Sequence, residues 1–576
     1  MPRRLLLTAM LVAFAAAAEA QDSPAPEATS AVAERAAVTA HSFMIATANP
    51  LASQAGRDVL AAGGSAADAA IAAQMVLNVV EPQSSGLGGG GFALYWDAST
   101  QDLASFDGRE TAPFAATPAY WLDDAGKPRE FWDAVPGGRS VGVPGALLLM
   151  ETLHQRYGRL PWGELFRPAI ALAEDGFPIS PRMAAAISDA ADHRLGEFPA
   201  ARALYLHQDG TPKGAGEVLR NPDLARALRL VAAEGSEPFY HGAIARDIVA
   251  AVRTPANPGL LTLDDLADYE VRERPPVCMG YRAYEVCGMG PPSSGGLTVG
   301  QILGILGHFD LAALGPGMPA TNLFLEASKL AFADRGQYIG DTDFVPMPEG
   351  LLDPAYLASR AALIDPAHPM ASAEPGEPPW NKAELLAPDA ERPEHGTTHF
   401  VVVDRYGDML TATTSIETNF GSRVVADGFL LNNQLTDFAF APEVDGKVVA
   451  NRVEGGKRPR SSMSPTVVLK DGKPWLLIGS PGGANIIPFV AQALVGILDF
   501  GEDPQKAIDT PHILNRNGKT QVEDGPDAAA TVAALSALGQ PAEAVDLNSG
   551  LQAILLGGGT LLGAADRRRE GLVMGD

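Results

Sequence analysis

The sequence predicts an α+β protein, because its two halves carry different hydrophobic patterns. In the first half, Ser65–Val80 is an Ala-rich apolar run of helical length, and a mixed helical region extends from Pro144 to Arg272. From Thr397 onwards, short alternating apolar runs separated by turns predict β-hairpins. Helices in the first half and hairpins in the second are typical of the α+β class.

A Gly-rich segment, residues 84–92, follows the first long helix. Three of its glycines have the spacing of a dinucleotide-binding loop, but that loop needs a strand before it and a helix after it. Here the order is reversed, because the predicted strand Phe92–Trp96 comes after the glycines. We therefore interpret the segment as a tight turn where only glycine fits. The next extended stretch, Leu103–Arg109, places Arg109 on or just after a strand.

The remaining elements follow from the same patterns. We predict a helix near Leu297–Leu306 behind the loop Pro291–Gly296, an exposed linker over Pro366–Glu394, the hairpin Phe400–Asp404 with Met409–Ile416, the hairpin Ser464–Lys470 with Trp475–Ser480, and the helix Ile487–Phe500.

The composition argues against nucleic acid as a partner. The 576 residues include 43 basic and 69 acidic side chains, which gives a net charge of −26. Neutralising phosphates requires Lys/Arg patches, and only the short clusters Lys457–Arg460 and Arg567–Arg569 are present. The acidity indicates solubility and does not select a fold.

The first twenty residues are predicted to be a secretory signal peptide. Arg3 and Arg4 form a positive start, Leu5–Ala18 is apolar, and Ala18-Glu19-Ala20 matches the small-x-small cleavage pattern. The apolar run is short for a bilayer span, and no stop-transfer segment follows it. We therefore expect a periplasmic or secreted protein without a membrane anchor in its mature form, beginning with a flexible leader over Gln21–Glu34.

The two cysteines, Cys278 and Cys287, flank a predicted hairpin turn. In an oxidising compartment they could form a local disulfide across that hairpin. Two thiols without nearby His do not make a zinc site, and the sequence contains no other metal-binding motif. We expect no metal and no cofactor.

Thr397 is the most informative candidate for chemistry. It follows Gly396 and opens a predicted strand. If the peptide bond between them were cut, Thr397 would carry both a hydroxyl nucleophile and a free α-amine that could accept its proton. On these residues alone, Thr397 is more simply explained as a β-branched residue that begins a strand.

The segment Gly479–Asn485 is a second candidate, because a Gly-Gly pair lies between a predicted strand and a helix. Such a pair can turn the backbone N–H groups of Gly482 and Gly483 into a cavity and form an oxyanion hole. Without further context, a helix-entry turn is the favoured explanation of the glycines.

These separate signals coincide with a known family. The matching motifs are the segments 86–92, 106–113, 291–296, 330–335, 397–399, 431–437, 457–465 and 479–483. With these motifs in the family's order, the chain resembles the γ-glutamyltranspeptidases, which are members of the N-terminal nucleophile hydrolase superfamily. The resemblance covers nearly everything after the signal peptide.

The resemblance implies a four-layer αββα sandwich and a precursor that cleaves itself between Gly396 and Thr397. The products would be a large subunit, residues 21–396, and a small subunit, residues 397–576, which stay intertwined as a heterodimer around one core. Cleavage would therefore activate the protein and not separate domains.

The resemblance also implies a γ-glutamyltransferase or glutathione hydrolase. Thr397 would attack the γ-carbonyl of glutathione or another γ-glutamyl compound, and water, an amino acid or a peptide would resolve the resulting ester. The implied catalytic residues are Thr397, Ser415, Gly482 and Gly483. The implied donor-binding residues are Arg109, Ser461 and Ser462 for the α-carboxylate, and Glu417, Gln434 and Asp437 for the α-ammonium.

The sequence departs from the family pattern at three places. Glu417 stands where many relatives have Asn, which strengthens the negative wall around a cation, and Ser415 stands where Thr is common. Relatives with a lid loop are several residues longer between Asp437 and Ser461 and carry a Tyr there. This chain has Phe438–Gly456 without Tyr, so we expect a shortened or absent lid and a more open site.

Two other functions remain open. The fold also hosts acylases for glutaryl-type side chains, but a glutaryl group has no α-ammonium, so the presence of Asp437 and Glu417 argues against them. Alternatively, the protein could be a secreted binding protein or scaffold with an inert copy of the fold. Such a protein should have lost Thr397, Arg109 or the Gly-Gly pair, and this chain keeps all of them.

Overall fold

Two seven-stranded antiparallel sheets form the centre of the protein. The computed structural model describes residues 34–380, 386–389 and 396–576. The predicted signal peptide, and the leader up to residue 33, lie outside the described residues.

The first sheet contains, in spatial order, the strands Val38–Ala40, Thr560–Ala565, Gln552–Gly557, Lys473–Gly479, Thr466–Lys470, Tyr284–Gly288 and Val277–Tyr281. The second sheet contains Leu572–Gly575, Met44–Thr47, Thr398–Val403, Met409–Ser415, Gly90–Asp97, Asp102–Gly108 and Arg272–Arg274.

The alternation of side chains along the strands shows how the layers stack. In the strand Thr398–Val403, Val401 and Val403 point into an apolar core between the two sheets, whereas Phe400 and Val402 point into a second core against helices. A third core lies between the first sheet and another set of helices, with Leu476 and Ile478 among its members. Three cores between four layers make an αββα sandwich, so the predicted fold class is confirmed.

The helices segregate to the two outer layers. The layer on the second sheet contains Pro50–Ala61, Ala66–Val80, Ala146–Tyr157, Arg167–Asp175, Pro181–Asp192, Pro222–Glu234 and Ala243–Ala251. The layer on the first sheet contains Gly295–Leu306, Met318–Tyr338, Pro354–Ala361, Ile486–Leu498, Pro504–Asp509 and Ala528–Ala537.

The predicted helix over residues 65–80 is confirmed, and its start has a local cause. Ser65 Oγ accepts a hydrogen bond from the Asp68 N–H at 3.1 Å, and the Asp68 carboxylate accepts the Ser65 N–H at 3.0 Å. This capping box satisfies backbone donors that would otherwise lack partners at a helix start.

Residues from both sides of the Gly396–Thr397 bond contribute to both sheets. In the second sheet, the strands Thr398–Val403 and Met409–Ser415 lie together at the centre and are flanked by Met44–Thr47 and Gly90–Asp97. A cut before Thr397 would therefore leave the two pieces sharing the same cores.

Other predictions have mixed outcomes. Both predicted hairpins after Thr397 are present, and Cys278 and Cys287 form a disulfide between directly paired strands. The prediction of an exposed linker over Pro366–Glu394 is wrong at Leu386–Ala387. These two residues are buried and form a strand parallel to Lys447–Val449. Their apolar side chains pack in two small clusters, Leu386 with Ala450 and Ala387 with Val449.

Within the described residues, no helix is long and apolar enough to cross a membrane. The same part of the chain contains no group of three or more His, Cys, Asp or Glu side chains arranged to hold a metal ion.

Candidate active site

Thr397 lies immediately before Thr398–Val403, a strand next to the central strand Met409–Ser415 of the second sheet. Thr398 pairs with Thr414 in the neighbouring strand, so Thr397 comes opposite Ser415. Thr397 is buried, with 4% of its surface exposed. Pairing with the strand Met409–Ser415 therefore fixes the position of Thr397.

The carbonyl oxygen of Gly396 accepts hydrogen bonds from two hydroxyl groups. The Thr397 hydroxyl donates to it at 2.5 Å, and the Ser415 hydroxyl donates to it at 2.8 Å. The backbone N–H of Glu417 in turn donates to Ser415 Oγ at 2.8 Å and orients it. The arrangement holds the Thr397 hydroxyl beside the Gly396 carbonyl and can stabilise negative charge on its oxygen.

Gly396 is the residue that the backbone requires at this position. Its φ is +59°, a region that residues with a side chain rarely adopt. A Cβ on Gly396 would lie 2.4 Å from the carbonyl oxygen of Glu417. The small residue before Thr397 is thus explained by the close approach of these two backbones.

The glycine pair lies in a loop that continues from the central strand of the first sheet. At the end of this strand, Gly479 packs so closely on the His399 ring that a Cβ would lie 2.2 Å from Cε1. Gly482 and Gly483 then adopt φ values of 134° and 57° before the helix Ile486–Leu498 begins. These positive φ values explain why glycine occupies both positions of this strand-to-helix turn.

His399 links the two sheets and does not titrate at neutral pH. Its Nδ1 lies 2.8 Å from Thr413 Oγ1, and its Nε2 lies 3.4 Å from Thr411 Oγ1. Complete burial lowers the pKa of His399 to about 3. The imidazole is therefore neutral and serves packing and hydrogen bonding.

Arg569 is a residue near Thr397 that the sequence analysis missed. Its guanidinium is buried, with Nη1 at 3.4 Å from the Thr397 carbonyl oxygen and Nε at 3.1 Å from the Ser549 carbonyl oxygen. Gly550 packs against both Arg569 and Pro481, the residue before the glycine pair. Arg569 therefore connects the backbone of Thr397 with the glycine loop. In the sequence it belongs to a short basic cluster, and no local signal marks it as buried.

Arg109 lies just after the strand Asp102–Gly108, as predicted, and its guanidinium is anchored from three directions. Nε donates to the Pro459 carbonyl at 3.3 Å, Nη2 donates to the Arg460 carbonyl at 3.0 Å, and Nη2 also pairs with the Asp437 carboxylate. Gln434 Nε2 donates to the same carboxylate oxygen at 2.8 Å. The structure thus brings Arg109, Gln434 and Asp437 into one cluster of opposite charges.

Ser461 and Ser462 are buried immediately after Arg460, but their hydroxyls have other partners. Ser462 Oγ accepts a hydrogen bond from Arg335 Nη2 at 2.7 Å, and Ser461 Oγ accepts the Met463 N–H at 3.1 Å. Arg335 belongs to one of the motifs that carried the family resemblance, although the sequence alone assigned it no role.

Glu417 is buried and joins the cluster through a neighbour of Gln434. Asn433 Nδ2 donates to its carboxylate at 3.4 Å, and Asn433 Oδ1 accepts the Thr418 N–H at 2.9 Å. Glu417 therefore lies between Ser415 and the turn that carries Gln434 and Asp437.

Glu110 is a second residue that the sequence analysis missed. Its carboxylate is fully buried and lies 3.7 Å from Arg109 Nη1. Burial raises the pKa of Glu110 to about 8, although the nearby Arg109 charge acts in the opposite direction. Burial thus favours the neutral form of Glu110, and the Arg109 guanidinium pairs with Asp437.

Comparisons with known proteins agree with this fold. The model of the Gamma-glutamyltranspeptidase family matches residues 52–576. The chain is 39% identical to the glutathione hydrolase proenzyme of Bacillus subtilis (strain 168), over 92% of this chain and 91% of that protein. It is 38% identical to the glutathione hydrolase proenzyme of Escherichia coli (strain K12), over 98% and 97%.

Among solved structures, the cephalosporin acylase from Bacillus halodurans superposes with a TM-score of 0.81 and 30% identity, covering 94% of this chain and 97% of that one. The sandwich is therefore that of the N-terminal nucleophile hydrolases. The chain belongs to the γ-glutamyltranspeptidase family.

Proposed function

We propose that this protein is an exported γ-glutamyltransferase and glutathione hydrolase that activates itself by cutting the Gly396–Thr397 bond. The observation that carries the proposal is the pair of hydroxyls on the Gly396 carbonyl, from Thr397 at 2.5 Å and Ser415 at 2.8 Å. In the uncut chain, this geometry poises the Thr397 hydroxyl beside the bond that must break.

Self-cleavage begins when Thr397 Oγ attacks the Gly396 carbonyl carbon. The C–N bond breaks, the acyl group moves from nitrogen to oxygen, and the amine of Thr397 becomes free. Water then hydrolyses the ester and leaves a carboxylate on Gly396. The large subunit, residues 21–396, and the small subunit, residues 397–576, remain joined because both contribute to the same sheets.

In turnover, the free amine of Thr397 accepts the proton of its own hydroxyl, and Oγ attacks the γ-carbonyl of the donor. The backbone N–H groups of Gly482 and Gly483 stabilise the oxyanion. The leaving amine departs with a proton, and the γ-glutamyl ester on Thr397 is resolved by water or by the amine of an amino acid or peptide. No cofactor takes part in these steps.

Donor recognition follows from the paired charges in the site. The α-carboxylate of a γ-glutamyl group matches the guanidinium of Arg109, with Ser461 and Ser462 beside it, and the α-ammonium matches Asp437 with Gln434 and Glu417. When a zwitterionic donor binds, its carboxylate replaces Asp437 beside Arg109, and its ammonium replaces Arg109 beside Asp437. Both buried charges therefore keep a partner of opposite charge. An Arg fork suits a carboxylate because it donates two parallel hydrogen bonds.

Ser415 should stabilise the intermediate of self-cleavage. We expect Ser415→Ala to slow cleavage of the precursor roughly 10²-fold, the scale for loss of one oxyanion donor, because the Ser415 hydroxyl donates to the Gly396 oxygen beside the nucleophile. Ser415→Thr keeps the hydroxyl and should cleave at nearly the normal rate. The measurement is the appearance of the small subunit over time by intact mass. Equal rates for the Ala and Thr variants would contradict this role.

Glutaryl acylase activity is the second candidate, because the cephalosporin acylase structure is so similar. The two functions are separated by donors with one leaving group, γ-glutamyl-p-nitroanilide and glutaryl-p-nitroanilide, which differ only in the α-ammonium. We expect the γ-glutamyl donor to be preferred by roughly 10²-fold or more in kcat/KM, since a site with buried polar partners rejects an analogue that leaves them unpaired.

The same assay should yield a γ-glutamyl-dipeptide when a dipeptide is added as acceptor. Preference for the glutaryl donor would instead identify an acylase. An uncut chain that turns over neither donor would indicate an inert scaffold.

A further inference from the structure

A short segment before the proposed cleavage site is fixed against the loop that joins the proposed donor-binding residues Asp437 and Ser461. We call residues 386–389 the anchor segment and residues 438–460 the donor loop. Leu386 and Ala387 are 3% and 2% exposed and form a strand parallel to Lys447–Val449 of the donor loop. A third strand, Glu443–Val444, completes this small sheet.

Asp389 provides the polar part of the anchor. Its N–H donates to the Gly336 carbonyl at 3.0 Å. Its carboxylate accepts hydrogen bonds from Arg460 Nη2 at 2.9 Å and from Asn451 Nδ2 at 3.1 Å. The Asp389 and Arg460 side chains are only 6% and 5% exposed, so the ion pair is shielded from solvent.

The two partners of Asp389 lead directly to the donor-binding charges. Asn451 Nδ2 also donates to the Asp437 carbonyl oxygen at 2.7 Å, and Asn451 Oδ1 accepts the Arg460 N–H at 2.9 Å. The Arg460 carbonyl oxygen accepts Arg109 Nη2 at 3.0 Å. Asp389 is therefore one residue removed from Asp437 and from Arg109 at the same time.

We propose that the anchor segment is a positioning element of the donor site and that it stays docked after self-cleavage, as a part of the large subunit close to its new C-terminus. This proposal rests on the proposed function. Asp389 holds Arg460 and Asn451, and these residues fix the spacing of Arg109 and Asp437. The segment between Asp437 and Ser461 is thus held down by the large subunit where relatives have a lid loop.

The proposal predicts an effect on KM rather than on kcat. Arg109 and Asp437 bind parts of the donor that do not react, so a change in their spacing weakens the ground state and the transition state equally. Among the described residues, the hydrogen bonds and the ion pair of Asp389 do not involve Thr397, Ser415 or the glycine pair, so kcat and self-cleavage should be preserved.

The test compares Asp389→Asn with Glu543→Gln. Both carboxylates line the same cavity of about 570 Å³, but Glu543 pairs with the exposed Lys519 on another wall and does not touch the donor loop. We expect Asp389→Asn to raise KM for γ-glutamyl-p-nitroanilide roughly tenfold, the scale for a displaced positioning group, with kcat and self-cleavage nearly unchanged. Glu543→Gln should behave as wild type.

A second readout does not depend on activity. Trypsin cleavage after Lys447, an exposed residue in the strand that pairs with the anchor segment, should become severalfold faster in Asp389→Asn and stay unchanged in Glu543→Gln. Intact mass identifies the fragment that begins at Thr397 and ends at Lys447. This readout still decides the docking of the anchor if no γ-glutamyl donor is turned over.

Asn451→Ala provides a second variant in case Asp389→Asn does not fold, because it removes the link to the Asp437 carbonyl and keeps the Asp389–Arg460 pair. It should raise KM in the same direction. An unchanged KM together with unchanged trypsin cleavage would overturn the proposal, and so would slower self-cleavage with an unchanged KM of the cleaved protein.

Discussion

We expect the Thr397→Ala chain to remain uncut and to lose turnover of γ-glutamyl donors by roughly 10⁴-fold or more, the scale found when a covalent nucleophile is removed. The reason is that one residue supplies both parts of the proposed catalyst, the hydroxyl and, after cleavage, the amine. The uncut protein should keep its fold, because Ala is smaller than Thr and fits the same buried space. Intact mass under denaturing conditions and the anilide assay measure both effects.

Thr397→Ser is the matched control. It keeps the hydroxyl beside the Gly396 carbonyl and would still expose an amine after cleavage, so it should self-cleave and retain measurable turnover. A Thr397→Ala chain that is cut at the same bond would remove Thr397 from the cleavage step. A cut wild-type chain without turnover of either donor would separate processing from the proposed activity.

The second large effect is expected at Asp437. We expect Asp437→Asn to lower kcat/KM for γ-glutamyl-p-nitroanilide by roughly 10²- to 10³-fold, since truncating a buried charged contact costs about 2–5 kcal/mol. The substitution keeps the size of the side chain but removes the charge that pairs with Arg109 and that would face the donor ammonium in the proposed function. Self-cleavage should continue, because the Ser415 contacts with Gly396 do not involve Asp437.

Comparison of the two donors shows why activity is lost. If Asp437 recognises the ammonium, the preference for γ-glutamyl over glutaryl anilide should collapse in Asp437→Asn. Equal losses for both donors would mean that Asp437 acts only by holding Arg109. Glu443→Gln, an exposed carboxylate in the same loop, should leave both rates unchanged.

Much of the local structure could be predicted from short stretches of sequence. The helix over 65–80, the hairpin that begins after Thr397 and the strand-to-helix glycine loop each depend on hydrophobic period, turn residues or caps within a few positions. Gly396 before Thr397 was visible as a small residue. Its reason, a positive φ and the nearby Glu417 carbonyl, became visible only in the structure.

The prediction of an exposed linker was wrong at Leu386–Ala387 because this strand depends on a distant partner and not on local sequence. Two apolar residues in a Pro- and Glu-rich stretch give no strand signal of their own, because a two-residue strand has no measurable period. They become a strand only where the donor loop offers Val448 and Val449 as partners.

The sequence by itself determined the secondary structure around Thr397, the position of Arg109 after a strand and the family to which the chain is similar. Only the tertiary structure decided that Arg109 pairs with Asp437, 328 residues away, and that Arg569 reaches Thr397 across 172 residues. It also decided that Glu110 is buried beside Arg109. Local propensities act over a few residues, whereas burial, ion pairing and the resulting pKa depend on which distant strands the two sheets bring together.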